Sequence, residues 1–465
     1  MILLFKKIKQ IFFMFRRIEI WILYLTILLS ILFAIGFGVL VRQELVGSIK
    51  AGWVSKSALT LAEIPVNIKN IFFDDLRVED RFPFLDSFDG TPNFEVSYLL
   101  LSRYDGDFQE GVVDLVDLTN FEVLHTWNPD IDTFNDLVEQ VDEFEFLARD
   151  KNNKRSLLIH PILLQDGGLL FQNGTPLQKI DSCSNLVFQN THDLFHHSIE
   201  TDIDGNIWVP SHIYPQSLPI EKVGRDLHNG RDRGYWDDAI SKLSPDGKIL
   251  YEKSVSQILI ENGLEYLLFG HGTSYEEDPI HLNDIQPVNA DTLYWKKGDL
   301  FLSLRSQSMI LLYRPSTNKI IWKGVGPFFR QHDVDIIDNT KISIFNNNFK
   351  SFASGDEVDG SNEVIIFDFD TGEYSRYLED SLINYDVQTI IQGRSEIMPN
   401  NDLFIEDTES ARTLYFNADG SLRWTHVNRA KNGNVYRIGW SRILYTEDDI
   451  QTVNNFLNNK GTCDE

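Results

Sequence analysis

The chain has 465 residues, 42% of them hydrophobic and 24% charged, enough apolar material for a large core and too much for a mainly disordered polymer. Lys and Arg total 42 against 69 Asp and Glu, a formal charge of −27, which argues against a nucleic-acid partner because no wide surface can pair with phosphates. Two cysteines, Cys183 and Cys463, exclude a disulfide framework and a four-thiolate zinc site and leave room for one bridge.

Lys6, Lys7, Lys9, Arg16 and Arg17 precede an uncharged run of 22 residues, Ile20 to Val41. As a helix rising about 1.5 Å per residue, this run covers about 33 Å against a hydrocarbon core of about 30 Å. The positive-inside rule then places residues 1–19 in the cytoplasm, makes 20–41 a single-pass anchor and puts everything after Arg42 on the far side. The remaining domain is therefore expected to be extracytoplasmic. A cleaved signal would need a small-x-small site, and Gly36 to Gln43 offers none, so an uncleaved anchor is preferred. Past residue 41 the balance is 37 basic to 68 acidic residues, a surface that repels anionic headgroups and keeps the domain soluble.

Residues 42–94 read as a stalk, with a weak helical pattern over Val46 to Glu63. From residue 95 the texture becomes β: short runs of Ile, Val, Leu, Phe, Tyr and Trp separated by Asp-Gly, Asn-Gly and Asn-Asn pairs that accept positive φ cheaply. One unit recurs, as in Asp204-Gly205-Asn206-Ile207-Trp208-Val209, Asp246-Gly247-Lys248-Ile249-Leu250-Tyr251 and Asp419-Gly420-Ser421-Leu422-Arg423-Trp424. Grouping its copies in fours gives sheets near 95–128, 154–190, 192–255, 278–324, 331–379 and 389–428. The expected fold is therefore all-β, a six-bladed β-propeller over 95–430 behind an N-terminal single transmembrane helix, with 431–465 as a C-terminal tail. A tandem pair of sandwiches is the structural rival.

Five of the eleven histidines fall at or just before a blade's first strand: His192, His196, His197, His281 and His332. First strands line a propeller's channel, so equivalent positions on successive blades converge although they lie tens of residues apart. Asn283 shares a strand face with His281, Arg305 follows the strand 300–304, and Asn346 to Asn348 offer further amides. Histidine, asparagine and arginine together select a compact multi-oxygen anion. Trp208, Tyr313, Phe328 or Phe329 are candidates to stack on a substrate ring. No phosphate-cradling Gly-x-x-x-x-Gly-Lys-Ser/Thr loop occurs, and neither cofactor nor metal is expected.

These runs carry a resemblance: His196-His197-Ser198-Ile199 with Asp204 to Val209, His281-Leu282-Asn283-Asp284-Ile285, Leu302-Ser303-Leu304-Arg305-Ser306, Gln331-His332-Asp333, and Met398 to Ile405. In this order the set resembles the bacterial arylsulfotransferase family over approximately residues 150–430. The resemblance implies a six-bladed propeller that moves a sulfuryl group from an aryl sulfate to a phenol, without a nucleotide donor, through a sulfated histidine. It implies His332 as nucleophile, His281 and His197 as further catalytic histidines, and Asn283 and Arg305 as substrate-binding residues. Only one of His196 and His197 can face the channel, and His197 is assigned. Chemically, a neutral imidazole attacks sulfur, a protonated His281 or His197 donates to the departing aryl oxygen, and ping-pong kinetics follow. The alternatives are a non-catalytic anion- or ligand-binding propeller and a hydrolase of sulfate or phosphate esters. Expected partners are small-molecule aryl sulfates and phenols, with the membrane engaged by the N-terminal helix.

Overall fold

A computed structural model describes residues 19–45, 51–73, 76–139, 144, 147–174, 176–223, 235–270, 276–353, 355–459 and 463. The chain divides into two units, Met1–Asp74 and Asp75–Glu465. In the first, Ile20–Leu45 is one helix and Ile20–Gln43 is apolar and long enough to cross a membrane. Ile20, Trp21, Leu23 and Tyr24 are exposed on successive sides of that helix, an arrangement suited to lipid rather than to water. A second helix, Trp53–Phe73, overlaps the pattern read over Val46 to Glu63, of which 46–50 lie outside the described residues, and carries Pro65 within it. The basic residues before Ile20 lie outside the described residues.

The second unit is built from six antiparallel sheets, the six blades of a propeller. Blade 2 comprises strands 159–163, 169–172, 177–180 and 186–190, and blade 4 comprises 282–287, 300–304, 309–314 and 319–325. In blade 3 the inner edge is split into 194–195 and 200–201, followed by 207–212, 238–243 and 249–254. Blade 5 runs 334–336, 341–346, 363–368 and 373–377, with a hairpin, 349–352 and 355–358, inserted between its second and third strands. Blade 6 contains 394–397, 403–407, 412–416 and 422–427.

Blade 1 closes the ring and extends the propeller beyond the span 95–430. Its strands 98–105, 110–117 and 122–127 receive their innermost neighbour, 442–444, from the segment read as a tail, with Leu100 opposite Arg442. Ser87–Gly90, inside the segment read as a stalk, adds the outermost strand of blade 6, opposite Trp424 to Val427. Both strands are only three or four residues long, too short to announce themselves as runs; 442–444 closes the ring, and Ser87–Gly90 covers the outer edge of blade 6. The C-terminal helix Glu447–Asn459 packs Val453 and Phe456 onto blades 1 and 2, and Cys463 beyond it is disulfide-bonded to Cys183 in blade 2.

Each pair of neighbouring blades shares its own apolar cluster. Trp127 and Phe171 join blades 1 and 2; Ile207 and Leu170 join 2 and 3; Ile240 and Leu302 join 3 and 4; Phe301 and Ile344 join 4 and 5; Phe345 and Leu414 join 5 and 6; Trp424 and Leu99 join 6 and 1. Burying such a side chain contributes roughly 1.5–3 kcal/mol, so the ring is held from between its sheets and the axis is left free for polar groups.

Candidate functional site

The innermost strands begin in an unusual way. His160, His197, His281, Arg330 and Trp440 stand at the heads of blades 2, 3, 4, 5 and 1, and each has φ between 48° and 58°. Gly393 stands at the head of blade 6 with φ 102°. Left-handed backbone at a non-glycine residue costs roughly 1–2 kcal/mol, and its repetition around one axis marks where the fold spends stability on placing side chains.

Three of the five histidines marked in the sequence meet there. The ring of His197 lies 5.1 Å from that of His281 and 6.1 Å from that of His332, centroid to centroid. Trp440 touches two of them, at 6.2 Å from both His197 and His332. His196 turns away, stacking on His212 at 4.1 Å, so the two adjacent histidines do face different ways. His192 does not join the group: it is exposed and lies 3.3 Å from Glu252, because it precedes the inner edge of blade 3 rather than sitting in the bend 196–199.

His332 is fully buried. Its Nδ1 is 2.6 Å from Oδ1 of Asn347, and the Asn347 amide is oriented by donating Nδ2–H to the carbonyls of Thr389 (3.1 Å) and Gln392 (2.6 Å). Because Oδ1 can only accept, the imidazole proton is on Nδ1 and the lone pair is on Nε2. That Nε2 has no hydrogen-bond partner among the described residues. Burial, and next the charge of Arg305, push the His332 pKa down to about 3, so the ring is neutral at any ordinary pH. Burial followed by the other imidazoles likewise holds His197 well below the usual range.

Arg305 is tied to the same place through its backbone N–H, which donates to the carbonyl of His281 at 3.1 Å, and its Nε has no partner among the described residues. His281 pairs through Nδ1 with the Asp278 carboxylate, leaving Nε2 as the atom available to a ligand. Asn283 is buried at a bulge in blade 4 and gives one Nδ2 proton to the carbonyl of Gln331 at 2.9 Å, leaving the second without a partner among the described residues. Gln331 braces the turn that carries Arg305 by donating to the carbonyls of Leu304 (3.2 Å) and Met309 (3.1 Å) on either side of it.

Further along the inner strands lies a second polar layer that locks blade to blade. Arg394 reaches His160 Nε2 (3.2 Å) and Glu396 (3.1 Å), and Arg442 reaches the same His160 nitrogen (2.7 Å) and Glu200 (3.0 Å). Asp284 accepts the N–H of Val334, and Asp333 accepts that of Ser395, each at 3.0 Å across a blade boundary. These contacts fix the inner strands on which the histidines ride.

Sequence reasoning did not find Asn347 as the partner of His332, nor Asp278, Gln331 and Trp440. Asn347 was flagged only as a pocket amide, whereas it serves the imidazole from behind; Asp278 three residues before His281 was the one readable signal. Of the aromatic candidates, Trp208, Tyr313 and Phe328 are buried between blades, and Phe329 alone is substantially exposed, beneath Lys350 Nζ at 4.6 Å.

The fold and this cluster define a six-bladed propeller with a histidine-lined axis. The sequence profile of the arylsulfotransferase (ASST) family matches residues 160–429, and the chain belongs to that family. Family membership supports aryl sulfotransferase activity in general. No curated protein matches the chain. Among solved structures, a protein of unknown function from Bacteroides caccae is 10% identical, covers 75% of this chain and 99% of its own, and superposes with a TM-score of 0.44. A streptogramin B lyase is 11% identical, with coverage of 74% and 97% and a TM-score of 0.35. A virginiamycin B lyase from Staphylococcus aureus is 9% identical, with coverage of 72% and 86% and a TM-score of 0.36.

Proposed function

We propose that the protein transfers a sulfuryl group from an aryl sulfate to a phenol through a sulfated His332. The observation that carries the reading is the His332 imidazole itself: neutral, buried, its proton held on Nδ1 by Asn347 and its Nε2 bare beside Arg305. A sulfate monoester spreads one negative charge over three terminal oxygens, and the forked donors of Arg305 with the second amide proton of Asn283 suit them. In the first step the Nε2 lone pair forms an S–N bond as the S–O(aryl) bond breaks, and the phenolate takes a proton from His281, since His197 is held neutral. In the second, that histidine removes the acceptor's proton, the phenolate oxygen attacks sulfur, and His332 leaves neutral. A phenol, with its pKa near 10, leaves far more readily than an aliphatic alcohol, so an imidazole suffices as acceptor and the exchange is reversible.

The Cys183–Cys463 bridge and the basic residues ahead of the apolar helix support a periplasmic domain on a single-pass inner-membrane anchor. The test is turnover of a chromogenic aryl sulfate with and without added phenol, together with mass spectrometry of trapped His332. Phenol-dependent release and a sulfuryl adduct on His332 are expected. Phenol-independent release assigns a hydrolase, no release by the folded protein assigns a binding protein, and an adduct on another residue removes the role of His332.

A further inference from the structure

His196 is the histidine that the sulfuryl site leaves over, and blade 3 explains where it goes. Strand 207–212 runs between 194–195 and 238–243; His212 is the direct cross-strand partner of Asp238, and the backbone N–H of His196 donates to Pro210 on the same strand at 3.0 Å. Three side chains are thereby brought to one point. His196 Nε2 and His212 Nε2 each stand 3.3 Å from the same oxygen, Asp238 Oδ1. Asp238 is completely buried, and the two imidazoles are only 12% and 11% exposed.

Well-aligned hydrogen bonds do not account for this convergence. Among the described residues neither His196 Nε2 nor Asp238 Oδ1 makes one, although both atoms are buried and attract each other as charge partners. The 3.3 Å separations exceed the usual N–H···O length of about 2.9 Å, but a tetrahedron with metal–ligand bonds of about 2.0–2.1 Å has edges of roughly 3.3–3.4 Å. Two imidazole nitrogens and one carboxylate oxygen are also a recurrent donor set of open zinc sites, with a fourth position left to water.

We propose that His196, His212 and Asp238 bind one divalent metal ion of the zinc class, departing from the sequence expectation that no metal is held. Outer contacts are in place: Asp238 Oδ2 accepts the N–H of His281 at 3.0 Å, and the Trp236 ring packs edge-on against His212 at 4.5 Å. The consequence reaches the sulfuryl site. With Nε2 on the metal, His196 carries its proton on Nδ1, which lies 2.6 Å from His197 Nδ1. His197 must then accept on Nδ1 and hold its own proton on Nε2, so the ion fixes the tautomer of a pocket histidine.

The test uses the full-length chain in detergent, stripped with a chelator and titrated with Zn²⁺ and Co²⁺, and it reads metal content, cobalt absorption and thermal midpoint without turnover. One equivalent at micromolar metal, an intense tetrahedral cobalt band between about 500 and 650 nm and a raised midpoint are expected. His212→Gln and Asp238→Asn should each weaken uptake at least tenfold, and the first, at the more exposed position, carries the test if the second does not fold. A folded wild-type chain that takes up less than a tenth of an equivalent at 100 µM metal overturns the proposal. So does uptake that both variants leave unchanged. Neither result bears on sulfation of His332, which is measured separately.

Discussion

Asn347→Ala tests the orientation argument at its narrowest point. The side chain makes three hydrogen bonds, accepting from His332 Nδ1 at 2.6 Å and donating to Thr389 and Gln392 carbonyls at 3.1 and 2.6 Å, the last of them part-buried. Each is worth about 1 kcal/mol net, and an imidazole N–H left unpaired costs about 1–3 kcal/mol, so a stability loss of about 4–6 kcal/mol is expected. The chemical loss is separate. Without Oδ1 to hold the Nδ1 proton, the ring divides between tautomers and loses its orientation, and a fall of about 10- to 100-fold in the sulfation step, or ~1.4–2.7 kcal/mol, should follow. Single-turnover release of nitrophenolate from 4-nitrophenyl sulfate under excess enzyme reads that step, with thermal melting alongside. Asn347→Asp supplies the contrast: it keeps an acceptor on Nδ1 but adds a charge that favours the imidazolium, so its loss should shrink as pH rises. A folded Asn347→Ala protein with an undiminished burst would refute the assignment of Nε2 as the attacking atom.

Arg305→Gln should lower kcat/KM by about 10- to 100-fold, and should raise the His332 pKa because the guanidinium is its largest repulsive charge; steady-state kinetics and histidine NMR titration check both, and an unmoved titration would separate Arg305 from the pocket. His332 bears also on acid stability. Its pKa of about 3 in the fold, set by burial and then by Arg305, lies below the ordinary 6.5, so the unfolded chain takes up that proton first. Its support is complete above about pH 6.5 and is lost as pH falls toward 3, up to about 5 kcal/mol. His332→Asn should therefore flatten the acid limb of denaturant stability by up to ~1.4 kcal/mol per pH unit, and an unchanged limb would contradict a neutral buried ring. Cys463→Ser opens a bridge that spans a sequence separation of 280 residues and should cost about 2–4 kcal/mol, read as a reductant-sensitive midpoint in the wild type alone. A wild-type midpoint indifferent to reductant would place the closure of the ring entirely in its strands.

The sequence displayed the blades because each hairpin must be punctuated: Asp-Gly and Asn-Asn pairs sit where positive φ is needed, and aromatic runs sit where one sheet packs on the next. His197, His281 and His332 were readable for the same reason, since blade-start positions converge by symmetry. What stayed hidden depends on contacts between distant segments. Strand 442–444 is three residues long and belongs to blade 1 only because Leu100 lies opposite Arg442. Asn347 looks like any amide after a strand until the loop 389–392 fixes its orientation. His212 and Asp238 are separated by the long insertion 213–236, of which 224–234 lie outside the described residues, so nothing local suggests that they face each other.

The left-handed blade entries connect these observations. A β-strand alternates its side chains between the two faces of its own sheet, and both faces of a propeller blade are taken up by the neighbouring blades. An inner strand therefore has few regular positions from which to address the axis. Reversing φ at the first residue turns that side chain out of the alternation, as at His197 and His281, and sets the following residues in register for the inter-blade bonds of Asp284 and Asp333. His332 follows the reversal at Arg330 and Trp440 is itself reversed, so the nucleophile candidate and the indole beside it come from the same device. Five non-glycine residues in that conformation cost several kcal/mol together. Six apolar clusters between blades offset such a sum, which is why the strain sits on the axis and the packing does not.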